Sequence, residues 1–222
     1  MGLNCGCPAG ASLTTIPYSE CKETLGQVQK VIFQRIYSEN NGAIVKNTIS
    51  ATNIASKAAM MALMAATDGT KIVVSPYIQN PTTEPGELRT FGSGNQVLGG
   101  IPIVLGSDST AFTGIIYQEP QTVIAAMKTL VCENVGVYLI DEYGNIAAQD
   151  ASTTSGSTTT VAYAPIPIGQ LFVGDKKLGG YEEPDSNAIA WRFFPNWSDT
   201  LAIAKAADFD YNPLVDLVPA SE

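Results

Sequence analysis

Residues 111–149 carry the hydrophobic pattern around which the rest of the chain is organised. The pattern predicts a strand over 112–117 and then a helix that begins at Pro120, because the missing N–H of proline costs nothing in a first helical turn. Apolar side chains of this helix fall at i, i+4, i+7 and i+8 and form one stripe, made of Val123, Met127, Leu130 and Val131. This half of the region predicts a helix near 120–134 that is clamped between strands.

The second half of the same region predicts two paired strands. The run over 135–140 favours β structure, and 137–140 is too continuously apolar for a strand that is wet on one face. Residues 141–145 include Gly144 and Asn145, which suit a turn, and 146–148 can return as a partner strand. The sequence therefore predicts a hairpin whose first strand is buried on both faces.

Other segments have the alternation or the composition of strands. They are 28–36, 71–77, 101–105, 161–168, 170–174, 189–194 and one more in the tail after Trp197. Residues 150–160 are dominated by Ser and Thr and predict a hairpin tip or a flexible loop. Pro102 and Pro167 lie in predicted strands, and strand prolines favour the edges of a sheet. The predicted fold class is mainly β with flanking helices (α+β).

A further helix is predicted near 53–67, capped by Thr52 or Asn53 and stopped at Asp68 and Gly69. It is rich in Ala and Met, and Lys57 is its only charged residue. A helix that is apolar almost all round needs cover on more than one side. We favour a buried core helix, and a contact with another subunit is the alternative.

Residues 79–100 are interrupted by prolines and glycines and predict a long loop. Loops of this length are uncommon unless they perform a function or wrap another element. Gly92-Ser93-Gly94 is similar to the start of a nucleotide-binding fingerprint, but Val97 replaces the third glycine and no helix pattern begins there. We predict no nucleotide site in this loop.

Residues 1–22 show no hydrophobic period and predict an N-terminal arm, followed by a single β-rich domain over 23–222. Cys5, Cys7 and Cys21 could provide three zinc ligands, because thiolates favour zinc. The spacing is not that of a zinc finger, histidine is lacking, and Cys132 lies far away in the sequence. Reduced thiols in the arm are the favoured interpretation, and we predict no metal site and no cofactor.

Charged residues make up only 15% of the 222 residues, with 12 basic against 21 acidic side chains and a net charge of −9. This balance disfavours binding of phosphate backbones through cations, but it is compatible with a surface past which nucleic acid slides. Scarce charge also suits a protein that is covered by copies of itself. No apolar run approaches the length of a membrane span, and 1–5 lack the features of a secretory signal, so we expect a cytosolic product.

The sequence has no histidine, which removes the commonest general base and every Ser-His-Asp or Cys-His arrangement. Carboxylate neighbours occur as Asp141 with Glu142 and as Glu182 with Glu183. Adjacent residues of a strand point to opposite faces, so neither couplet forms the facing pair of a glycosidase, and solvated turn charges are the favoured interpretation. We predict no catalytic residue and expect that the protein is not an enzyme.

Three parts of the chain carry a resemblance to a known class of proteins. They are Glu-Cys-Lys-Glu-Thr-Leu-Gly-Gln-Val-Gln-Lys-Val-Ile-Phe-Gln-Arg at 20–35, Asn-Gln-Val-Leu-Gly-Gly at 95–100, and Leu-Gly-Gly-Tyr at 178–181 together with Trp191 and Asn-Trp-Ser-Asp at 196–199. These segments resemble virion structural proteins of phages that infect Bacteroides-like bacteria. Within that class the chain looks most like a major tail tube protein.

The resemblance implies a β-sandwich or barrel flanked by a helix, with the arm at 1–22 and the long loop at 79–100 reaching adjacent subunits. It implies stacked rings of identical subunits that form a DNA conduit in the virion, with other virion proteins as partners and synthesis in the host cytoplasm. DNA would pass without sequence-specific binding, and no membrane is involved. The alternatives are a capsid decoration, neck or head-completion protein, and a non-viral adhesin or binding module. The Cys5-Gly6-Cys7 start departs from the resemblance and leaves the role of the arm open.

Overall fold

The computed structural model of the protein describes residues 16, 24–40 and 42–218. These residues belong to two compact units. Glu87–Ser107 belong to one, called the hairpin unit below, and Leu25–Gly86 with Asp108 onward form the other, called the main unit. The predicted arm at 1–22, with Cys5, Cys7 and Cys21, lies outside the described residues apart from Ile16.

The described residues form mostly strands, with short helices between them. The strands are β1 (Val28–Arg35), β2 (Tyr37–Asn40), β3 (Ala43–Lys46), β4 (Ile49–Ser50), β5 (Ile72–Val74), β6 (Gln79–Glu84), β7 (Leu88–Phe91), β8 (Ile103–Ser107), β9 (Thr110–Tyr117), β10 (Val135–Asp141), β11 (Ile146–Asp150), β12 (Thr153–Ser155), β13 (Thr158–Thr160), β14 (Ala162–Ala164), β15 (Ile166–Val173), β16 (Ser186–Phe193) and β17 (Leu201–Ala204). The helices are α1 (Ala51–Ile54), α2 (Lys57–Ala65), α3 (Gln121–Thr129) and α4 (Pro213–Asp216). The predicted β-rich α+β fold is confirmed, and the large sheet curls into a half-barrel.

Strand β10 is the centre of the main unit and is buried at every position. One of its edges pairs antiparallel with β1 from end to end. The other edge pairs with β15 at Gly136 and Val137 and with β11 at Leu139 and Ile140. The sheet therefore forks beside Tyr138 into one branch made of β15, β16, β9 and β6 and another that runs through β11 to β14, β4 and β17.

Alternate side chains of β1 and β10 enter two different cores. Phe33 and Val137 face the first core, in which the rings of Trp191 and Phe112 stack with centroids 3.9 Å apart. Ile32 and Tyr138 face the second core, to which α1, α2 and α4 contribute Ile54, Met60 and Leu214. Because successive side chains of a strand point to opposite faces, one continuously apolar strand supplies both cores. The prediction that 135–140 is covered on both faces is confirmed.

Helix α3 begins where the sequence predicts, with Pro120 as its N-cap, but ends at Thr129 and continues as a 3₁₀ turn over Leu130–Cys132. Its fully buried side chains are Ile124 and Met127. Val131 is 44% exposed, so the predicted stripe is wrong at that position. The 3.6-residue period stops with the helix, and the 3₁₀ turn rotates the next side chains outward.

The segment predicted as one helix near 53–67 is interrupted at Ala55 and Ser56, and its N-cap is Ser50, whose hydroxyl accepts a hydrogen bond from the N–H of Asn53. The interruption occurs because the N–H of Lys57 donates to the carbonyl of Asp208 and the carbonyl of Ala55 accepts from the N–H of Asp208. In α2 only Met60 is fully buried. Met61, Leu63 and Met64 are partly buried against the second core, so the helix covers that core with one side and is not buried all round.

The prediction that Pro167 marks an edge strand is wrong, because β15 lies between β10 and β16 in the sheet. Pro167 lies in β15, opposite Gly136 of β10, and the pairing of β15 with β16 begins only at Ile168. Strand β15 pairs with β10 at 166–167 and with β16 from Ile168 onward, so it changes partner directly after the proline. A residue that cannot donate is tolerated where a strand changes partner.

Gly136→Ala should destabilise the main unit. A Cβ at position 136 would lie 2.7 Å from the carbonyl oxygen of Ile166 and 2.9 Å from Cβ of Pro165. These atoms cannot retreat without separating β10 from β15, so we expect the free energy of unfolding to fall by about 2–3 kcal/mol in chemical denaturation. Gly169→Ala is the matched control, because its nearest neighbour would be Cζ of Phe194 at 3.6 Å. Equal losses for both variants would contradict the prediction.

Candidate assembly surfaces

Most of the segment predicted as a long loop at 79–100 has regular structure, so that prediction is wrong in detail. Residues 79–84 form β6, which pairs with β9, and β7 pairs antiparallel with β8. Within the described residues β6 pairs on one side only, and Pro81 lies where its register shifts between Gln79 and Thr82. An edge strand with a bulge tolerates proline, which explains why the sequence reads as a loop.

The far end of the hairpin unit consists of two 3₁₀ turns, Gly94–Gln96 and Leu98–Gly100. The first is held by a capping box in which Ser93 and Gln96 bond to each other's backbone. Gly92 and Gly94 have φ of 80° and 54°, a left-handed backbone that glycine adopts without strain. Gly92-Ser93-Gly94 therefore shapes the end of a hairpin.

The hairpin unit presents apolar side chains to solvent. Every residue of β7 and β8 is exposed. The exposed large apolar side chains of the unit are Leu88, Phe91, Leu98, Ile101, Ile103, Val104 and Leu105. No charged residue occurs between Thr90 and Ser107. A lone two-stranded hairpin is marginally stable in water, and a large apolar patch marks an interaction site, so this unit is the leading candidate for an assembly surface.

Gly86 and Asp108, the two residues of the main unit that flank the hairpin unit in the sequence, lie close together. A Cβ on Gly86 would lie 2.0 Å from the carbonyl oxygen of Asp108. The backbones at 86 and 108 are therefore in contact. The hairpin unit is an insertion between neighbouring positions of the main unit, and the main unit does not need it to bridge a gap.

Several cations of the main unit are paired with carboxylates. The guanidinium of Arg35 donates to both carboxylate oxygens of Glu133 at 2.9 and 2.8 Å, and this hydrogen bonding lowers the pKa of Glu133. Lys177 binds Glu183 at 2.6 Å and likewise lowers the pKa of that carboxyl. Lys57 binds Asp210 at 2.5 Å, and Lys128 binds Asp175. These pairs reduce the number of cations that an approaching polyanion can reach.

Lys30 is withdrawn from the surface altogether. Its side chain is buried, its Nζ donates to the carbonyl oxygen of Leu214 at 2.7 Å, and it lies 4.3 Å from the centre of the Tyr77 ring. Burial lowers the pKa of Lys30, and the nearby Glu119 opposes that shift. The hydroxyl of Tyr77 also donates to the Leu214 carbonyl, so this group joins β1 to α4.

Asp141 has a structural function that the sequence analysis missed. We predicted a solvated turn charge, but the residue is fully buried. Its Oδ1 accepts hydrogen bonds from the N–H groups of Tyr143 and Asn145, and its Oδ2 accepts from the N–H of Gly26 and from Nδ2 of Asn145. The available signal was an Asp placed three residues before a turn glycine and four before an asparagine, a pattern typical of an Asx turn. Glu142, its neighbour, is exposed.

Cys132 is an exposed free thiol on the main unit. Among the residues that the structure describes, no three Cys, Asp or Glu side chains lie close enough to hold a metal ion. The zinc alternative concerns Cys5, Cys7 and Cys21, which lie outside that part of the chain. In the described ranges no helix is long and apolar enough to cross a membrane.

Comparison with known proteins gives partial structural similarities, among them two to chains of gene transfer agent particles. No family model and no curated protein matches the chain. A chain of the virion of a native gene transfer agent particle aligns at 12% identity over 60% of this chain and 89% of its own length, with a TM-score of 0.34. A chain of the tail of an empty gene transfer agent particle with C6 symmetry aligns at 12% identity over 59% and 82%, with a TM-score of 0.30. Both TM-scores are low, so these similarities support no functional conclusion.

Proposed function

We propose that this chain is the structural subunit of a phage tail tube and assembles into stacked rings that enclose a passage for DNA. The observation that carries the proposal is the hairpin unit, whose strands are exposed at every position and carry the apolar side chains of Leu88, Phe91, Ile103, Val104 and Leu105. Such a surface is stabilised when another molecule covers it, because burial of apolar area is the main driving force of association.

A second copy of the chain is the proposed partner of the hairpin unit. Every copy displays the same hairpin, and a hairpin that docks on a different region of the next copy makes a heterologous contact. Heterologous contacts close into rings or continue as filaments. The two-stranded hairpin also has free outer edges within the described residues, which suits addition of strands from a neighbour.

The charge of the protein suits a conduit for nucleic acid. The net charge is −9, and several cations are paired with carboxylates or, like Lys30, buried. Carboxylates repel phosphate groups, and the repulsion reaches about 8–10 Å at physiological salt before it is screened. A wall of this composition therefore lets DNA pass without holding it.

The proposal gives the chain a structural role without catalytic residues, cofactor or metal. Its partners would be further copies of itself and other virion proteins, and its location the virion after synthesis in the host cytoplasm. The absence of histidine from the sequence supports this role, because the common general-base mechanisms lack their principal residue.

Negative-stain microscopy over a range of protein concentrations tests the proposal. We expect hollow tubes of constant bore at high concentration, and we expect that they do not retain short duplex DNA at low salt. Discrete small oligomers would instead favour another virion component. Monomers at every concentration, or firm retention of DNA in the bore, would contradict the proposal.

A further inference from the structure

The ladder of β7 and β8 carries large apolar side chains on both of its faces. Thr90 pairs directly with Val104, and Leu88 lies two residues before Thr90, so these three side chains share one face, called the Val104 face below. Phe91 pairs with Ile103 on the opposite face, called the Ile103 face. The four large apolar side chains are 52–62% exposed. Strands that are apolar on both faces are stable when both faces are covered.

The two faces of the ladder differ in charge. Arg89 is the only charged residue within β7 and β8, and it lies between Leu88 and Thr90 in the sequence. Because successive side chains of a strand alternate, Arg89 points to the Ile103 face. The Val104 face therefore has no charged side chain, which suits a cover that is itself uncharged.

The N-terminal arm has the composition of such a cover. Residues 1–19 contain no charged residue, and the first charge of the chain is that of Glu20. The same residues include Leu3, Leu13, Ile16 and Tyr18. Packing this segment on an apolar face would not bury a charge, which is the most costly group to remove from water.

The described residues that precede the main unit belong with the hairpin unit. They are Ile16 and Thr24, and both lie in the same compact unit as Glu87–Ser107, whereas the main unit begins at Leu25. Ile16 is 90% exposed, so both sides of a contact between arm and ladder are available in this structure. A segment tethered to the surface that it covers binds at a high effective concentration, which favours the arm of the same copy over that of another.

We propose that residues 1–19 cover the Val104 face of the hairpin unit of the same copy. The Ile103 face is then left for a neighbouring copy, and this division of the two faces rests on the proposed function. The contact with the arm forms within one chain, so it is measured on single subunits and does not require a tube.

Disulfide formation between the arm and the ladder tests the contact in the full chain. Each protein carries Cys132→Ser and keeps one arm cysteine, with the other two of Cys5, Cys7 and Cys21 changed to Ser. A second thiol is introduced as Val104→Cys or, as the matched control, Ile103→Cys. Residues 103 and 104 are neighbours with similar exposure, 55% and 52%, but they lie on opposite faces. Mild oxidation is carried out at a concentration at which sedimentation shows monomers.

We expect at least one arm thiol to pair with Val104→Cys roughly ten times faster than with Ile103→Cys, because docking raises the effective concentration of the two thiols. The product should be a monomer, and an excess of protein without cysteine should not lower its yield.

The apolar side chains of the arm are tested by changing Leu3, Leu13 and Ile16 together to Ser. This change should reduce the rate with Val104→Cys to that of the Ile103→Cys control. Changing Ala9 and Ala11 to Ser alters the same segment without removing a large apolar side chain, so it should leave the rate within about twofold of the parent.

Equal rates at positions 103 and 104, or a rate that the three Ser substitutions do not change, would overturn the contact. Disulfide-linked dimers that disappear when protein without cysteine is added would show that the arm reaches another copy, which also contradicts it. Microscopy of the unmodified protein at high concentration separates these results from the proposed function. Tubes without the preference for Val104→Cys would remove only the contact with the arm, whereas the preference without tubes would support the contact and count against the tube.

Discussion

Replacement of residues 88–106 by a short Gly-Ser linker should leave a folded main unit that no longer assembles. The backbones at 86 and 108 are already in contact, so the linker bridges a short distance and should not strain the main unit. The change removes seven large exposed apolar side chains. Each is worth about 1.5–3 kcal/mol when fully buried, so burial of even two of them on a neighbour accounts for a roughly thousandfold change in the concentration needed for assembly. Sedimentation velocity and negative-stain microscopy measure the loss.

The chain contains a matched control for this excision. Strands β12 and β13 form another two-stranded hairpin that is exposed at every position, but its residues are Ser and Thr. Replacing 153–160 by the same linker should leave assembly within about twofold of the parent, because exposed polar side chains contribute little to an interface. The thermal midpoint of both truncated proteins should stay close to that of the parent. Tubes formed by the protein without 88–106 would contradict the role of the hairpin unit.

Asp141→Ala should lower the free energy of unfolding by about 4 kcal/mol. The substitution removes the carboxylate that accepts hydrogen bonds of 2.8–3.1 Å from the N–H groups of Gly26, Tyr143 and Asn145. Hydrogen bonds to a charged group are worth about 1.5–3 kcal/mol each, and donors left buried without a partner cost more than donors that reach water. Urea denaturation followed by tryptophan fluorescence measures the change.

Two substitutions control for the Asp141 variant. Asp141→Asn keeps the shape and one acceptor oxygen, so we expect about half the loss. Glu142→Ala changes an exposed carboxylate that accepts a long hydrogen bond of 3.5 Å from the N–H of Gln27, and should alter stability by less than about 0.5 kcal/mol. If Asp141→Ala proves as mild as Glu142→Ala, the buried carboxylate does not organise the turn as the structure indicates.

The central hairpin could be predicted from the sequence because its signals are local. The β-favouring run at 135–140 is apolar on both faces, and Gly144 and Asn145 supply the turn that returns the chain into β11. Pro120 likewise fixes the start of α3, whose N-cap it is. Each prediction depended on residues within a few positions of one another.

The errors occurred where distant residues decide the local structure. The helix predicted near 53–67 is broken because Asp208 bonds to the backbone of Ala55 and Lys57, and nothing in the sequence near Ala55 signals that contact. Asp141 is buried because Gly26 reaches its carboxylate from a position 115 residues away. The assembly surfaces were only partly predictable, since the resemblance pointed to 79–100 while the exposed apolar strands extend to Ser107.

By itself the sequence determined the β-rich class, the buried strand at the centre, the acidic balance and the absence of histidine. These follow from composition and from periodicities that span a few residues. Only the tertiary structure decided that β10 exchanges partners beside Tyr138, that its two faces supply separate cores, and that seven large apolar side chains between Leu88 and Leu105 are exposed. Burial depends on which distant strands meet, and a one-dimensional pattern does not record which apolar face finds a partner within its own chain.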